Sequence, residues 1–192
     1  ADGKRNVAIG GVMGGLNSEV SETTTEIFLE SAYFSPSNIR RTSKKLGLST
    51  EASYRFERSI DLLGVDFALR RATKLIAELA DGKVDRGIID EFPYAYTPTR
   101  VALRPKRVQK ILGTSLVSDE MQDILSRLGF RILSEETQAA SHQIWEVEVP
   151  SYRPDVTREI DLVEEVGRIY GYDNIPTMLP SGEIPSKMKN KL

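Results

Sequence analysis

Apolar residues recur at helical spacing in four stretches of the chain, each followed by a glycine that can end a helix. They predict helices over residues 36–46, 66–81, 105–112 and 118–128. Ser35 and Pro36 form a capped start for the first of these helices. The second helix is expected to turn one apolar side inward, comprising Phe67, Leu69, Ala72, Leu75, Ile76 and Leu79.

Runs rich in β-branched and aromatic residues predict strands between these helices. Residues 23–34 are the strongest strand candidate, and residues 7–9, 84–89 and 101–103 are shorter ones. Residues 130–133 and 144–149 predict a hairpin around a polar loop at 135–143. The fold class is therefore α+β, and short helices beside a long-looped hairpin suggest a winged-helix-like second half.

A stretch with two prolines and no helical period, residues 92–99, is the best domain boundary in the chain. We expect a first domain over residues 1–92, a linker over 93–99 and a second domain over 100–176. Residues 177–192 are rich in proline and lysine and predict a linker or tail. The chain opens without a methionine, so we expect a fragment.

A final helix follows residue 154 and carries a ridge of carboxylates. The proline before Asp155 disfavours helix, so Asp155 is expected to cap the element. Asp161, Glu164 and Glu165 stand at i, i+3 and i+4 and share one side. Such oxygen ligands suit a hard cation, typically Mg²⁺. A solvated acidic face with Glu164 paired to Arg168 is the alternative, and the spacing alone favours it.

Two features of the first half carry candidate chemistry. Residues 10–15 contain four glycines, which favours a tight strand connection over a binding loop. Glu30 stands inside an apolar run, where a carboxylate is costly unless it is paired, hydrogen-bonded or facing a wet pocket. An ion pair with an arginine of the next helix and a pocket acceptor for a ligand hydroxyl or ammonium are equally plausible.

Basic residues recur at i, i+4 spacing in the first helix, where like charges repel. An RNA backbone would relieve the repulsion of Arg40 from Lys44 and of Arg41 from Lys45, although a solvated face is the commoner explanation. Four cations of the second half could touch phosphates or equally face water: Arg104, Lys106, Arg107 and Lys110.

Composition excludes several classes of site. The 192 residues carry a net charge of −2 and no cysteine, which excludes disulfides, thiolate zinc sites and cysteine nucleophiles. The absence of cysteine also fits a reducing cytoplasm. No apolar run reaches the length of a membrane span. The single histidine, His142, lies in the hairpin loop and is expected to be a surface residue.

Residues 150–176 resemble the signature of the bacterial phenylalanyl-tRNA synthetase beta subunit family. In that family the carboxylates matching Asp155, Asp161, Glu164 and Glu165 are assigned to a Mg²⁺ site shared with the alpha subunit. The resemblance extends to residues 10–15, 29–36 and 49–58, which are similar to the second half of the family's editing domain. That domain hydrolyses tyrosine mistakenly attached to tRNA(Phe).

The resemblance implies an editing pocket with four of its residues in this chain. Gly14 would line the pocket, Glu30 would accept the tyrosine hydroxyl that phenylalanine lacks, and Thr50 and Ala52 would shape the remaining wall. A buried acceptor left unpaired by phenylalanine discriminates better than an apolar pocket. Relatives also use a histidine upstream of this chain, and many carry glycine where this chain has Ser59.

The resemblance implies a part of phenylalanine-tRNA ligase, a cytoplasmic α2β2 heterotetramer. ATP and phenylalanine would react on the alpha subunit, while this chain would support charging of tRNA(Phe) and editing of tyrosyl-tRNA(Phe). The isolated fragment is expected to be inactive. The alternatives are a nucleic-acid-binding module without chemistry and a structural half-domain that needs its missing strands and the alpha subunit.

Overall fold

A computed structural model describes residues 3–93, 95–137 and 143–177 of the chain. These residues form two compact units. The first unit contains the residues up to Thr99 together with Val149–Asp155, and the second contains Arg100–Glu148 together with the residues from Val156 onward. The surface position predicted for His142 and almost all of the predicted tail lie outside the described residues.

The first unit is built from a small hairpin and three helices. Strands β1 (Ala8–Ile9) and β2 (Met13–Gly14) pair antiparallel. A 3-10 turn, Leu16–Ser18, follows them. The helices are α1 (Pro36–Leu46), α2 (Glu51–Phe56) and α3 (Gly64–Leu79).

The predicted bounds of α1 are confirmed, although the Ser35 side chain makes no capping hydrogen bond. Pro36 occupies the first turn, where its missing N–H leaves no donor unsatisfied. Gly47 ends the helix with a φ of +65°, a conformation that glycine adopts without steric cost. Ile39 and Ser43 form the buried side of the helix. Its amphipathic pattern is therefore satisfied inside this unit.

The helix predicted over residues 66–81 is confirmed as α3, but its predicted inward side is only partly covered, with Leu69, Ala72 and Leu75 half-buried. The helix has no buried residue, and the side chains of Phe67 and Leu79 are 73% and 85% exposed. Periodicity shows which residues share a face, whereas burial requires a neighbouring element. Among the described residues, this face is covered near its middle and exposed at both ends.

Strands were predicted over residues 23–34 and 84–89, and both predictions are wrong. The described backbone of these two stretches contains no strand. A chain with strand-forming composition becomes a β-strand only when a neighbouring strand exchanges backbone hydrogen bonds with it. In the described part of the first unit, only β1 and β2 make such a ladder.

A small aromatic cluster holds the first unit together. The ring of Phe34 meets that of Phe56 edge to face, with 4.9 Å between ring centroids. Phe34 also covers the glycines of the β1–β2 turn, where Gly11 has a φ of +68°. A Cβ atom on Gly11 would approach Ile39 Cδ1 to 2.7 Å. The glycine run therefore serves tight packing, as its spacing favoured.

The second unit is an α+β arrangement around a three-stranded antiparallel sheet. Its strands β3 (Arg100–Leu103), β4 (Arg131–Thr137) and β5 (Gln143–Glu148) lie in the order β3-β5-β4. Its helices are α4 (Pro105–Leu112), α5 (Ser118–Arg127) and α6 (Glu159–Tyr170), followed by a 3-10 turn at Tyr172–Asn174. The fold class, the hairpin and the helices α4 and α5 are as predicted, whereas β4 extends through Thr137 into the predicted loop and α6 begins at Glu159 instead of directly after Asp155.

Apolar side chains from sheet and helices fill the core of the second unit. Leu103, Trp145 and Val147 are fully buried in the sheet, and Met121 and Leu125 are fully buried on α5. Helix α6 adds Leu162, Val163 and Val166. The resulting core fixes the face that α6 presents outward. None of the described helices is long and apolar enough to cross a membrane.

Candidate functional site

Thr50 joins helix α2 to the glycine hairpin. Its hydroxyl donates a hydrogen bond to the carbonyl of Val12 over 2.6 Å and accepts one from the backbone N–H of Ser53 over 3.0 Å. The Ser53 hydroxyl accepts from the backbone N–H of Thr50 over 2.9 Å, which completes a capping box. Ser53 is 1% exposed. This network fixes Thr50 against the β1–β2 turn.

Gly14 lies beside open space, unlike its neighbour. A Cβ atom on Gly14 would meet no heavy atom within 4 Å, whereas one on Gly15 would collide with the carbonyl of Val7. Gly14 is two residues beyond Val12, to which Thr50 is hydrogen-bonded. Two of the predicted pocket residues thus lie on adjoining elements. Ala52 is exposed on the first turn of the same helix that Thr50 caps.

Glu30 offers a carboxylate without a protein partner. Its side chain is exposed, and it makes no ion pair or hydrogen bond with the described residues. The predicted alternative, an ion pair with an arginine of the next helix, is absent there. The neighbouring hydroxyl of Ser31 donates to the carbonyl of Val65 over 2.9 Å and anchors this segment to α3. Glu30 can therefore accept a hydrogen bond from a ligand.

The cap of α6 differs from the prediction. The helix begins at Glu159, so Asp155 lies too far upstream to cap it. Instead the Asp161 carboxylate accepts from the backbone N–H groups of Thr157 and Arg158 over 3.0 and 2.8 Å. The hydrogen bond from the Thr157 N–H is the largest cause of a pKa of Asp161 below its usual value, and the bond from the Arg158 N–H lowers this pKa further. Asp161, the third residue of the helix, therefore satisfies the two backbone N–H groups that precede the helix.

Three of the four predicted metal ligands are held by cations or N–H donors. Glu165 is 6% exposed, and one of its oxygens lies 2.5 Å from the Arg168 guanidinium. In the first unit, Asp155 lies 2.6 Å from the guanidinium of Arg153. Because a buried carboxylate needs a cation, Arg168 pairs with Glu165 rather than with Glu164, the partner predicted for it.

Glu164 is the exception among these carboxylates. It is exposed, and it makes no ion pair or hydrogen bond with the described residues. Across residues 3–93, 95–137 and 143–177, no three His, Cys, Asp or Glu side chains converge as a metal site. Carboxylate oxygens are suitable ligands for Mg²⁺. Among the four predicted ligands, only Glu164 has both carboxylate oxygens without a partner in the described residues.

The ion pair between Glu159 of α6 and Arg104 was not predicted from the sequence. The Glu159 carboxylate accepts two hydrogen bonds from the Arg104 guanidinium, at 2.9 and 2.6 Å, and one from the Arg104 backbone N–H. Arg107 Nε lies 3.2 Å from the same carboxylate. The Arg104 side chain is the main cause of the lowered pKa of Glu159. No sequence pattern signals this pair, because 55 residues separate its members.

A cavity of about 480 Å³ lies in the second unit between α5 and α6. Its lining combines apolar side chains with the acidic residues of the first turns of α5. None of the residues predicted for the editing pocket or the metal site lines it. The lining residues are Leu116, Asp119, Glu120, Asp123, Ile124, Arg127, Ile169 and Tyr170.

Two protein-family models match the chain in tandem. The model described as the B3/4 domain matches residues 1–81, and the model described as the tRNA synthetase B5 domain matches residues 101–172. The chain therefore has the order of a B3/4 domain followed by a tRNA synthetase B5 domain.

Curated relatives that match nearly the whole chain are beta subunits of phenylalanine–tRNA ligase. The chain is 51% identical over 182 residues to the phenylalanine–tRNA ligase beta subunit of Syntrophus aciditrophicus, covering 94% of the chain and 22% of that protein. It is 48% identical over 190 residues to the beta subunit of Geobacter sulfurreducens, covering 99% of the chain and 23% of that protein. The predicted resemblance is confirmed: nearly the whole chain corresponds to a segment of phenylalanine–tRNA ligase beta subunits. It spans less than a quarter of the length of these two relatives.

Proposed function

We propose that this chain is the part of a phenylalanine–tRNA ligase beta subunit that edits tyrosyl-tRNA(Phe) and supports ATP-dependent charging of tRNA(Phe). The observation that carries the editing role is Glu30, an exposed carboxylate without a protein partner among the described residues. A phenolic hydroxyl could satisfy this acceptor, whereas the phenyl ring of phenylalanine could not.

Each residue of the proposed pocket has a distinct role. The tyrosine hydroxyl donates to Glu30, Gly14 leaves room for the ring, and Thr50 and Ala52 shape the remaining wall. The Thr50 cap fixes part of this wall before substrate arrives. Discrimination through Glu30 requires its carboxylate to lose water, so the bound aminoacyl end must cover it.

The reaction is hydrolysis of an ester. Water attacks the aminoacyl carbonyl, the bond to the terminal ribose oxygen breaks, and free tyrosine and tRNA with its hydroxyl restored are released. We assign no nucleophile or general base to this chain. Its contribution is to place the ester and a water in a reactive geometry, which alone supplies a large share of many rate enhancements.

We further propose that the carboxylates of the α6 region, Asp155, Asp161, Glu164 and Glu165, contribute to a Mg²⁺ site shared with the alpha subunit. Their oxygen donors fit Mg²⁺, and Glu164 is available without breaking an ion pair of the described residues. The metal would supply positive charge at the subunit boundary. ATP and phenylalanine would bind the alpha subunit of a cytoplasmic α2β2 assembly.

Selective ester hydrolysis tests the editing role. The full-length beta subunit, assembled with its alpha subunit, is given tyrosyl-tRNA(Phe) and phenylalanyl-tRNA(Phe). We expect Glu30→Ala to lower the preference for the tyrosyl ester by about 10- to 100-fold, the loss of one hydrogen bond to a charged group. Glu26→Ala removes an exposed carboxylate from the same segment and should leave the preference unchanged.

A nucleic-acid-binding module without chemistry is the second candidate. The observation in its favour is a set of four exposed cations on α1 that make no ion pair with the described residues, Arg40, Arg41, Lys44 and Lys45. Binding of tRNA by the assembled protein without hydrolysis of either ester would favour this candidate over editing.

A further inference from the structure

Four cations of α1 form one exposed surface, here called the α1 basic face: Arg40, Arg41, Lys44 and Lys45. The helix contains no acidic residue, and none of the four cations pairs with a carboxylate of the described residues. Elsewhere in this unit exposed helical cations do pair, Arg55 with Glu51 and Lys74 with Glu78. Arg71 of α3 is also exposed and makes no ion pair with the described residues, so the distinction of α1 is that it carries four such cations and no acidic residue.

The packing of α1 fixes the direction of this face. Ile39 and Ser43 are buried on the other side of the helix, and the Ser43 hydroxyl donates to the carbonyl of Leu48. The cations of each i, i+4 pair, Arg40 with Lys44 and Arg41 with Lys45, are separated by about 6 Å along the axis. The face is thus a short double row of charge on a rigid support.

A stabilising effect on the helix accounts for only two of these four cations. Lys44 and Lys45 lie in the last turn, where cations interact favourably with the negative end of the helix dipole. Arg40 and Arg41 lie in the middle of the helix, where the dipole offers little. At i, i+4 they also repel the lysines. An external anion would remove this repulsion.

The chain connects the α1 basic face directly to the proposed pocket. Gly47 ends α1, and Thr50 caps α2 three residues later while bonding to the β1–β2 turn. The α1 basic face and the Thr50 wall of the proposed pocket are therefore close neighbours along the chain. The exposed Ser37 and Asn38 add hydroxyl and amide groups of the kind that contact phosphates. The helix carries no aromatic side chain on which a base could stack.

We propose that the α1 basic face binds the phosphate backbone of the tRNA whose aminoacyl end is presented to the editing pocket. This inference rests on the proposed function and names the surface that holds its substrate. Because phosphates carry no sequence information, the face supplies affinity without selecting among tRNA species.

The test measures the affinity of uncharged tRNA(Phe) for the assembled full-length protein between about 50 and 200 mM salt. For Arg40→Gln/Arg41→Gln we expect the slope of log affinity against log salt to fall by about two. Near 0.1 M salt, each lost contact should cost roughly five- to tenfold in affinity. The same losses are expected with a non-cognate tRNA.

A matched pair on α3 controls for total charge. Arg70→Gln/Lys74→Gln removes two cations from an exposed helix of the same unit, where they are paired with Asp66 and Glu78. We expect its salt slope to stay within experimental error of the wild type. Equal slope changes in the two double variants would mean that only net charge matters, and would overturn the proposal.

Two further variants distinguish a loss of phosphate contacts from a loss of folding. Arg40→Lys/Arg41→Lys preserves the charge and should retain most of the salt slope, and single Arg40→Gln should lower it by about one. An unchanged slope in folded Arg40→Gln/Arg41→Gln would overturn the proposal.

If the slope is unchanged while Glu30→Ala abolishes tyrosyl selectivity, the editing proposal stands and the α1 proposal fails. If the slope falls but no tyrosyl selectivity exists, editing fails and the RNA surface remains.

Discussion

At the scale of single residues, two glycines of the first hairpin, Gly11 and Gly14, have different functions. Gly11 adopts a positive φ, and a Cβ atom there would press on Phe34 and Ile39. Gly14 has neither constraint, because a Cβ atom there would meet nothing within 4 Å. Sequence alone showed only a cluster of glycines. Their separate roles depend on which side chains lie across from each one.

We expect Gly11→Ala to destabilise the first unit by about 2–4 kcal/mol, because a positive φ and overpacking both act against it. Gly14→Ala should leave unfolding unchanged and slow tyrosyl-tRNA hydrolysis, because its methyl group enters the proposed pocket. Hydrogen exchange of α1 amides measures the first effect, and single-turnover hydrolysis measures the second. Faster exchange in Gly14→Ala than in Gly11→Ala would contradict this division.

At the scale of elements, helices were predictable and most strands of the first half were not. The starts and ends of α1 and α4 depend on a local proline and glycine, so their sequences predict them. Residues 23–34 have strand composition, but pairing depends on a partner that composition does not reveal. The cap of α6 was misassigned for a similar reason, because three acidic residues lie near its start, Asp155, Glu159 and Asp161, and only the geometry selects Asp161.

The ion pair between Glu159 and Arg104 joins α6 to the connection between β3 and α4. We expect Glu159→Gln to destabilise the second unit by about 1 kcal/mol at neutral pH, a value discounted for the solvent exposure of the arginine. Urea unfolding followed by Trp145 fluorescence measures it, since this buried residue is the single tryptophan. Asp123→Asn, which breaks the exposed pair with Arg127, should cost less than about 0.5 kcal/mol.

The pH dependence of this pair has a definite sign. Because the pKa of Glu159 is lowered in the folded state, its contribution is fully present above the ordinary glutamate pKa. It is lost as pH falls through the lowered folded value. Wild type and Glu159→Gln should therefore converge in stability on acidification. A difference that persists below that pH would show that packing, and not charge, causes the effect.

At the scale of the whole molecule, the segment combines two units whose proposed roles differ. The first carries the editing residues and the α1 basic face, and the second carries three of the four proposed metal ligands. Sequence resemblance supplied these assignments, whereas residue spacing alone favoured a solvated acidic face. The availability of Glu30 and Glu164 could not be predicted from the sequence, because it depends on which partners the arginines choose in the folded chain, as Arg168 pairs with Glu165 and not with Glu164.

We expect Glu164→Gln to weaken Mg²⁺ binding by the assembled α–β enzyme without changing the stability of the second unit. Glu164 is exposed and makes no ion pair with the described residues, so its loss breaks no internal contact. Titration calorimetry with Mg²⁺ alone measures the affinity. Asp119→Asn, an exposed acid at the start of α5, is the matched control. Equal Mg²⁺ affinity in Glu164→Gln and wild type would remove Glu164 from the site.

The most direct test of the account is the energetic coupling between Glu30 and the substrate hydroxyl. Hydrolysis rates of tyrosyl- and phenylalanyl-tRNA(Phe) are measured with wild-type and Glu30→Ala enzyme, which gives a complete double-difference cycle. We predict a coupling of about 1.5–3 kcal/mol, the value of a hydrogen bond to a charged group. A coupling near zero, with Glu30→Ala slowing both esters equally or neither, would contradict the assignment of Glu30 as the residue that recognises tyrosine.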